Sequence, residues 1–303
     1  MRIATIDIGS YSVRLTVAEV KNGDIEILLE KGYITSLGSG VKETGRLRED
    51  RVEETLRVLE EYRNDIENLG VDKVVAVATE ALRRAENADE FLKEVRKRTG
   101  IEVKIITPQE EGELAFLATA YSLRPEGEFL VVDQGGGSTE FIFGSDMRVK
   151  DMVSLPVGIV NLTESFLKHD PPTEEEVKKL MDFLEEKIKP LKREVDEIVG
   201  LGGTITTLVA LEKGVYPYDP SRIHGERLSL EALRRWFKTL VSMPYRERSR
   251  RFKQIEDRRA EVIVSGIAMF VKLLEVFDKD SLRVGDWGVK HGLIVKEALS
   301  EKP

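Results

Sequence analysis

Two segments of the chain set an aspartate directly ahead of a Gly/Ser turn and a further strand. Residues 5–16 read TIDIGSYSVRLT and residues 131–142 read VVDQGGGSTEFI. In register, Asp7 falls on Asp133, Gly9 on Gly135, Ser12 on Ser138 and Arg14 on Glu140. A strand–turn–strand hairpin of this kind can aim backbone N–H groups and hydroxyls at one phosphate. Gly9, Ser10, Tyr11 and Ser12 would form one cradle, and Gly135, Gly136, Gly137, Ser138 and Thr139 the other. Asp7 and Asp133, at strand ends beside the turns, are placed to hold a hydrated divalent cation. Mg2+ keeps several waters and takes one or two carboxylates, and Mn2+ is an alternative. Glu140 alternates onto the face of Ser138. A Gly-rich turn alone often does no more than satisfy a positive φ. Its repetition with the aspartate in register is what points to phosphate binding and to a duplicated domain.

Other constellations are more ambiguous. Gly202-Gly203-Thr204 follows a short apolar run and opens a helix; the free amides there and the hydroxyls of Thr204 and Thr206 would favour an anion, or the glycines only pack strand on helix. Glu110-Glu111 stands just after Pro108, where acidic residues suit a helix's first turn whether or not they catalyse. Arg83-Arg84 reads by default as surface. The basic stretch YRERSRRFKQIEDRR, Tyr245–Arg259, is either a solvated helix face or a strip that guides a polyanion. There are no cysteines, and the three histidines, His169, His224 and His291, lack metal-ligand spacing. Neither a Gly-x-Ser-x-Gly elbow nor a Gly-x-x-x-x-Gly-Lys-[Ser/Thr] loop occurs.

The elements that must position these groups follow from periodicity. Residues 2–20 and 25–34 alternate as an antiparallel sheet, and 37–45 is a Gly/Ser loop. Residues 49–69 carry a helical stripe ended by Gly70. A strand over 74–78, a helix capped by Asn87 and ending before Gly100, a strand over 103–106 and a helix over 109–122 complete the first half. The second half restarts with strands at 129–133, 138–144 and 149–155, a charged helix over 173–189, a strand over 197–201, helices near 229–242, 245–254 and 258–277, a strand over 282–284 and a last helix from 289. With 303 residues the chain suffices for two α/β domains, expected at 1–123 (joined by a C-terminal helix 289–303) and 124–288. No apolar run of membrane-spanning length and no secretory leader is evident, so no membrane partner and a cytoplasmic location are expected. A net charge of −8 argues against a nucleic-acid partner.

Taken in order, DIGSYSVRL (7–15), ATEALRRAENA (78–88), ITPQEEGELAF (106–116), VVDQGGGSTEF (131–141), GLGGTITTL (200–208), RRAEVIVSG (258–266) and VGDWGVKHGL (284–293) closely resemble the exopolyphosphatase/guanosine pentaphosphate phosphatase (Ppx/GppA) family. The resemblance implies duplicated actin-like ATPase (ribonuclease H-like) domains with mixed five-stranded sheets, flanking helices and an interdomain active site. It implies Glu111 as general base, Arg83 as a phosphate ligand, Asp133 and Glu140 in Mg2+ binding and water positioning, and Arg14 and Arg259 facing phosphates. The expected reaction is Mg2+-dependent release of orthophosphate from inorganic polyphosphate, with guanosine pentaphosphate of the stringent response as the alternative substrate and a homodimer as the assembly. A kinase of the same superfold and an inactive alarmone-binding regulator are the remote alternatives. The chain departs from the family at Tyr11, Thr107-Pro108, Glu113, Gly285-Asp286 and Lys290-His291. Ending near residue 300, it lacks the HD-like extension of longer members, from which shorter polyphosphates are expected as substrate.

Overall fold

The computed structural model describes residues 1–300 of the chain, and these form two compact units. Unit 1 comprises Met1–Tyr121, Gly135–Gly137 and the chain from Trp287 onward; unit 2 comprises Ser122–Gln134 and Ser138–Asp286. Among the described residues no helix is long and apolar enough to cross a membrane.

Unit 1 contains β1 (Arg2–Ile8), β2 (Ser12–Lys21), β3 (Asp24–Ile34), α1 (Val41–Thr44), α2 (Glu49–Asn68), β4 (Lys73–Ala78), α3 (Glu80–Arg84), α4 (Ala88–Thr99), β5 (Val103–Ile105) and most of α5 (Pro108–Leu123). Its sheet runs β3-β2-β1-β4-β5, antiparallel across the first three strands and parallel from β1 outward. Side chains alternate across a strand, so β1 serves two cores. Ala4, Ile6 and Ile8 join the cluster containing Leu56, Leu59 and Tyr62 of α2 and Phe91 and Val95 of α4. On the other face Ile3 joins Ala18, Val20, Ile294 and Ala298. The Tyr62 hydroxyl finds its partner in the Val13 carbonyl at 2.9 Å. Asn87 does not cap α4. Its Oδ1 accepts from the Leu47 amide (2.8 Å) and its Nδ2 donates to the Leu47 carbonyl (3.1 Å), so the side chain fastens a loop.

Unit 2 contains β6 (Glu128–Gln134), β7 (Thr139–Ser145), β8 (Arg148–Leu155), α6 (Ile159–Phe166), α7 (Glu174–Ile188), β9 (Glu197–Leu201), α8 (Gly203–Lys213), β10 (Arg227–Ser229), α9 (Leu230–Val241), α10 (Tyr245–Arg251), α11 (Asp257–Val276) and β11 (Ser281–Val284). Its order, β10-β11-β9-β6-β7-β8, repeats the plan of unit 1. An antiparallel β6-β7-β8 meander is extended by parallel β9 and β11. The sheet has a sixth strand, β10, rather than the five expected; with Leu228 as its one buried residue, it has no alternation long enough to read. α11 is buried nearly all round, with Ile263, Ile267 and Phe270 fully enclosed. α7 starts with a capping box: Thr173 Oγ1 accepts from the Glu176 amide and Glu176 Oε2 accepts from the Thr173 amide.

The last helix, α12 (Val289–Ser300), belongs to unit 1. Thr5 Oγ1 donates to the Lys290 carbonyl at 2.8 Å, and Lys290 Nζ donates to Thr16 Oγ1 at 2.8 Å and pairs with Glu30. Gly292 allows α12 to lie on α5, since a Cβ there would run into the backbone carbonyl of Leu114. Gly292→Ala should therefore destabilise the protein by about 1–3 kcal/mol, read as a lower urea midpoint with unchanged slope. An unaltered midpoint would show that the two helices are not held this closely.

Candidate active site

α3 and the first turn of α5 bring three charged side chains together. Arg83 Nη1 donates to the Ile106 carbonyl at 2.7 Å, and both Nη1 and Nη2 donate to Glu111 Oε2 at 2.9 Å. Nη2 also reaches Glu80 Oε2 at 3.2 Å. The side chains of Arg83, Glu111 and Glu80 are only 15%, 13% and 14% exposed, so none is a solvated surface group. The adjacent glutamates have separate work. Glu110 is half-buried, and its Oε2 accepts from the Thr107 amide at 2.9 Å. A hydrogen bond from Lys104, and that amide, hold its carboxyl down to about 2. Glu111, one residue on, turns to Arg83. Glu80 was not singled out from sequence; its position three residues before Arg83 on a helix is the signal that could have found it.

The two Asp-x-Gly hairpins occupy equivalent ladder positions. Asp7 pairs across β1–β2 with Arg14, and Asp133 across β6–β7 with Glu140. Directly opposed residues share a face, so one hairpin opposes unlike charges and the other opposes two carboxylates. In the first turn the Gly9 amide donates to the Ser12 carbonyl at 3.0 Å. The Ser10 and Tyr11 carbonyls accept from Gly38 (2.7 Å) and Ser36 (2.9 Å). Arg14 Nε donates to Ser12 Oγ at 3.3 Å. The segment Gly135–Gly137 packs within unit 1: a Cβ on Gly136 would stand 2.9 Å from Tyr11 Cβ, and one on Gly137 2.8 Å from Glu80 Cγ and 3.3 Å from Ser10 Oγ. Close approach, not positive φ, demands these two glycines. Ser10, Tyr11, Gly136, Gly137, Glu80, Arg83 and Glu111 thus form one neighbourhood.

Asp7 is partly covered as a residue, but its Oδ1 is enclosed and has no hydrogen-bond partner among the described residues. Burial raises its carboxyl above the usual range, with Arg14 and Lys290 pulling the other way.

In unit 2, Glu140 is 1% exposed and its Oε1 accepts from the Ser154 hydroxyl at 2.8 Å. Gly202 sits at φ 104 at the start of α8, and Gly203 lies directly under the Arg259 guanidinium, where a Cβ would collide. Two of the hydroxyls expected near phosphate point into the fold. Thr139 is fully buried and donates its hydroxyl to the Val157 carbonyl at 2.8 Å. Thr204, 1% exposed, points its Oγ1 inward at Gly266 beside Gln134 Oε1. A turn's hydroxyl can face out or in, and sequence does not distinguish the two. Gly135 and Ser138 sit in the β6–β7 turn, Ser138 being 4% exposed.

For a divalent ion the donor chemistry is mixed. Among the described residues no group of three or more His, Asp or Glu side chains able to hold a metal occurs, so Asp7, Asp133 and Glu140 are not gathered as a three-carboxylate cage. Asp133 opposite the buried Glu140 does fit a cation, because like charges directly opposed on a sheet repel unless neutralised. Mg2+ needs only one or two protein carboxylates.

Residues 16–301 match the Ppx/GppA phosphatase family. The chain belongs to that family. A crystal structure of the Aquifex aeolicus Ppx/GppA family member superposes with a TM-score of 0.88 at 59% identity, covering 100% of this chain and 99% of that one. The fold is accordingly the actin-like one of the Ppx/GppA proteins. Exopolyphosphatase 2 of Mycobacterium tuberculosis is 32% identical over 316 residues, 98% of each chain. A bifunctional 3-dehydroquinate synthase/phosphatase of Fusobacterium nucleatum is 29% identical over 298 residues, 93% of this chain but 44% of that longer protein.

The enclosed Asp7 carboxylate gives a pH prediction for this Ppx/GppA member. A carboxyl whose folded value lies above the unfolded one subtracts stability as pH rises through that interval, and the full cost is present above it. Asp7→Asn should therefore unfold at a higher temperature than wild type at pH 7, the gap narrowing as pH falls toward the ordinary aspartate value of 3.8. Thermal scans from pH 4 to 8 test this; a variant less stable at pH 7 would mean that Arg14 and Lys290 outweigh the burial.

Proposed function

We propose that this protein is an exopolyphosphatase, removing the terminal phosphate of inorganic polyphosphate as orthophosphate. The observation that carries the reading is the Arg83–Glu111 pair, a nearly buried carboxylate and guanidinium joined by two 2.9 Å hydrogen bonds. It is supported by the name and full-length similarity of the mycobacterial exopolyphosphatase. Glu111 orients a water and takes its proton as the water oxygen bonds to the terminal phosphorus. The bridging P–O bond breaks, and the departing chain leaves one phosphate shorter. Arg83, on this reading, exchanges the single Glu111 oxygen that takes both its Nη groups for a phosphate oxygen. Within unit 1, amides of the turn at 9–12 and of Gly135–Gly137 hold the non-bridging oxygens, and Arg14 offsets their charge. Mg2+, for which Asp133 and Glu140 are the proposed ligands, would supply further neutralisation of the phosphate oxygens.

Glu111→Gln should lower kcat for orthophosphate release from tripolyphosphate by about 10²–10⁴-fold with KM little changed. Arg83→Ala should raise KM and lower kcat together. Near wild-type turnover in the glutamine variant would remove Glu111 from the role of base. Faster release from guanosine pentaphosphate than from tripolyphosphate would assign the same machinery to the alarmone.

A further inference from the structure

Unit 2 contains a cavity of about 340 Å3 whose wall includes Arg248. Arg248 is 2% exposed. Its Nε donates to the Leu240 carbonyl at 2.7 Å and its Nη1 to the Ala260 carbonyl at 2.6 Å. Its Nη2 has no hydrogen bond, and no carboxylate among the described residues lies within ion-pair distance of it. Burial pulls the group down to about 10, with Asp170 the one charge opposing. A buried cation left with an open edge is costly unless an anion or water meets it, and the open edge belongs to a residue that lines a cavity.

The rest of the wall narrows the occupant. Lys168 adds a cation, while Leu167, Pro172 and the Tyr245 ring supply apolar surface. Asp170, whose Oδ1 accepts from the Tyr245 amide at 2.9 Å, and the exposed Glu261 bring negative charge to the same wall. Two carboxylates in the wall oppose a multiply charged phosphate far more than a single negative charge. None of these residues has a part in the proposed hydrolysis, although Tyr245 and Arg248 belong to the basic stretch that sequence left open as a guide for a polyanion. The Nη1 bond to Ala260 ties the cavity to the first turn of α11, which carries Arg259.

We propose that this cavity is a second binding site, for a small singly charged carboxylate whose headgroup pairs with Arg248 and whose apolar body lies on Leu167, Pro172 and Tyr245. The full-length protein would be titrated into 4-fluorobenzoate and followed by fluorine NMR at neutral pH. Line broadening that unlabelled benzoate reverses and tripolyphosphate does not is expected. Arg248→Lys, which keeps the charge but loses the fork, should weaken binding about tenfold or more, and the exposed Lys168→Ala several-fold. Thermal unfolding of each variant establishes that it is folded; if Arg248→Lys is not, Lys168→Ala decides. No broadening with wild type, equal affinity in the folded variants, or displacement by tripolyphosphate would overturn the site. Displacement by orthophosphate as readily as by benzoate would overturn its carboxylate specificity. Because these readouts need no turnover, they stand apart from the test of the exopolyphosphatase reading.

Discussion

One guanidinium organises the proposed chemistry. Arg83 is gripped by Glu111, Glu80 and the Ile106 carbonyl, all from unit 1. Glu80 is shared with a second guanidinium, that of Arg84, so two arginines balance the two carboxylates at a place proposed to receive a polyanion. Such an arrangement is stable only while the cation stays, because deleting one partner of a buried pair strands the other. It also makes the resting geometry a competition, since one Glu111 oxygen takes both N–H groups that a phosphate oxygen could accept. The glycines at 136 and 137 follow from this packing: Gly137 abuts Glu80, and any larger residue would push the turn off the trio.

The duplication is clearest in the ladders, and so is the divergence. Asp7 and Asp133 hold the same position opposite residues 14 and 140, but one partner is arginine and the other glutamate. An Asp–Arg couple opposes unlike charges, whereas an Asp–Glu couple opposes like ones. The two copies of the hairpin have thereby diverged in the charge they present. That both aspartates could be metal ligands is what the sequence repeat implied; the paired register is what distinguishes them.

Regular elements with long apolar periods were legible before the structure. The stripe Leu56, Leu59, Tyr62, Ile66 became the buried face of α2, and the strands of both meanders lie where alternation placed them. Short elements were not: α6, α1 and β10 each span too few residues for a period to emerge. Side-chain roles failed where one residue type has two local uses. Asn87 is a common cap but fastens Leu47, Thr139 and Thr204 sit in anion-like turns but face inward, and Glu111 looked like a helix-start acid but reaches Arg83. In each case the deciding fact is a neighbour distant in sequence, which propensity does not contain.

Lys290 and His291, one of the departures from the resemblance, illustrate how such a pair is accommodated. Both side chains converge on the Glu30 carboxylate, His291 Nε2 at 2.7 Å, and His291 is fully buried under the Trp287 ring. Burial would raise Glu30, but the His291 hydrogen bond and the Lys290 charge together hold it well below the usual glutamate range. A carboxylate kept ionised in this way is itself the anchor for α12, because Lys290 also reaches Thr16 of β2 and its carbonyl takes the Thr5 hydroxyl of β1. The lysine's charge is felt at Asp7 as well. Lys290 therefore keeps a cation between two acidic residues of the first sheet, one of which leads into the phosphate-cradle turn. The charge balance of that turn is set partly by a helix that arrives from the far end of the chain.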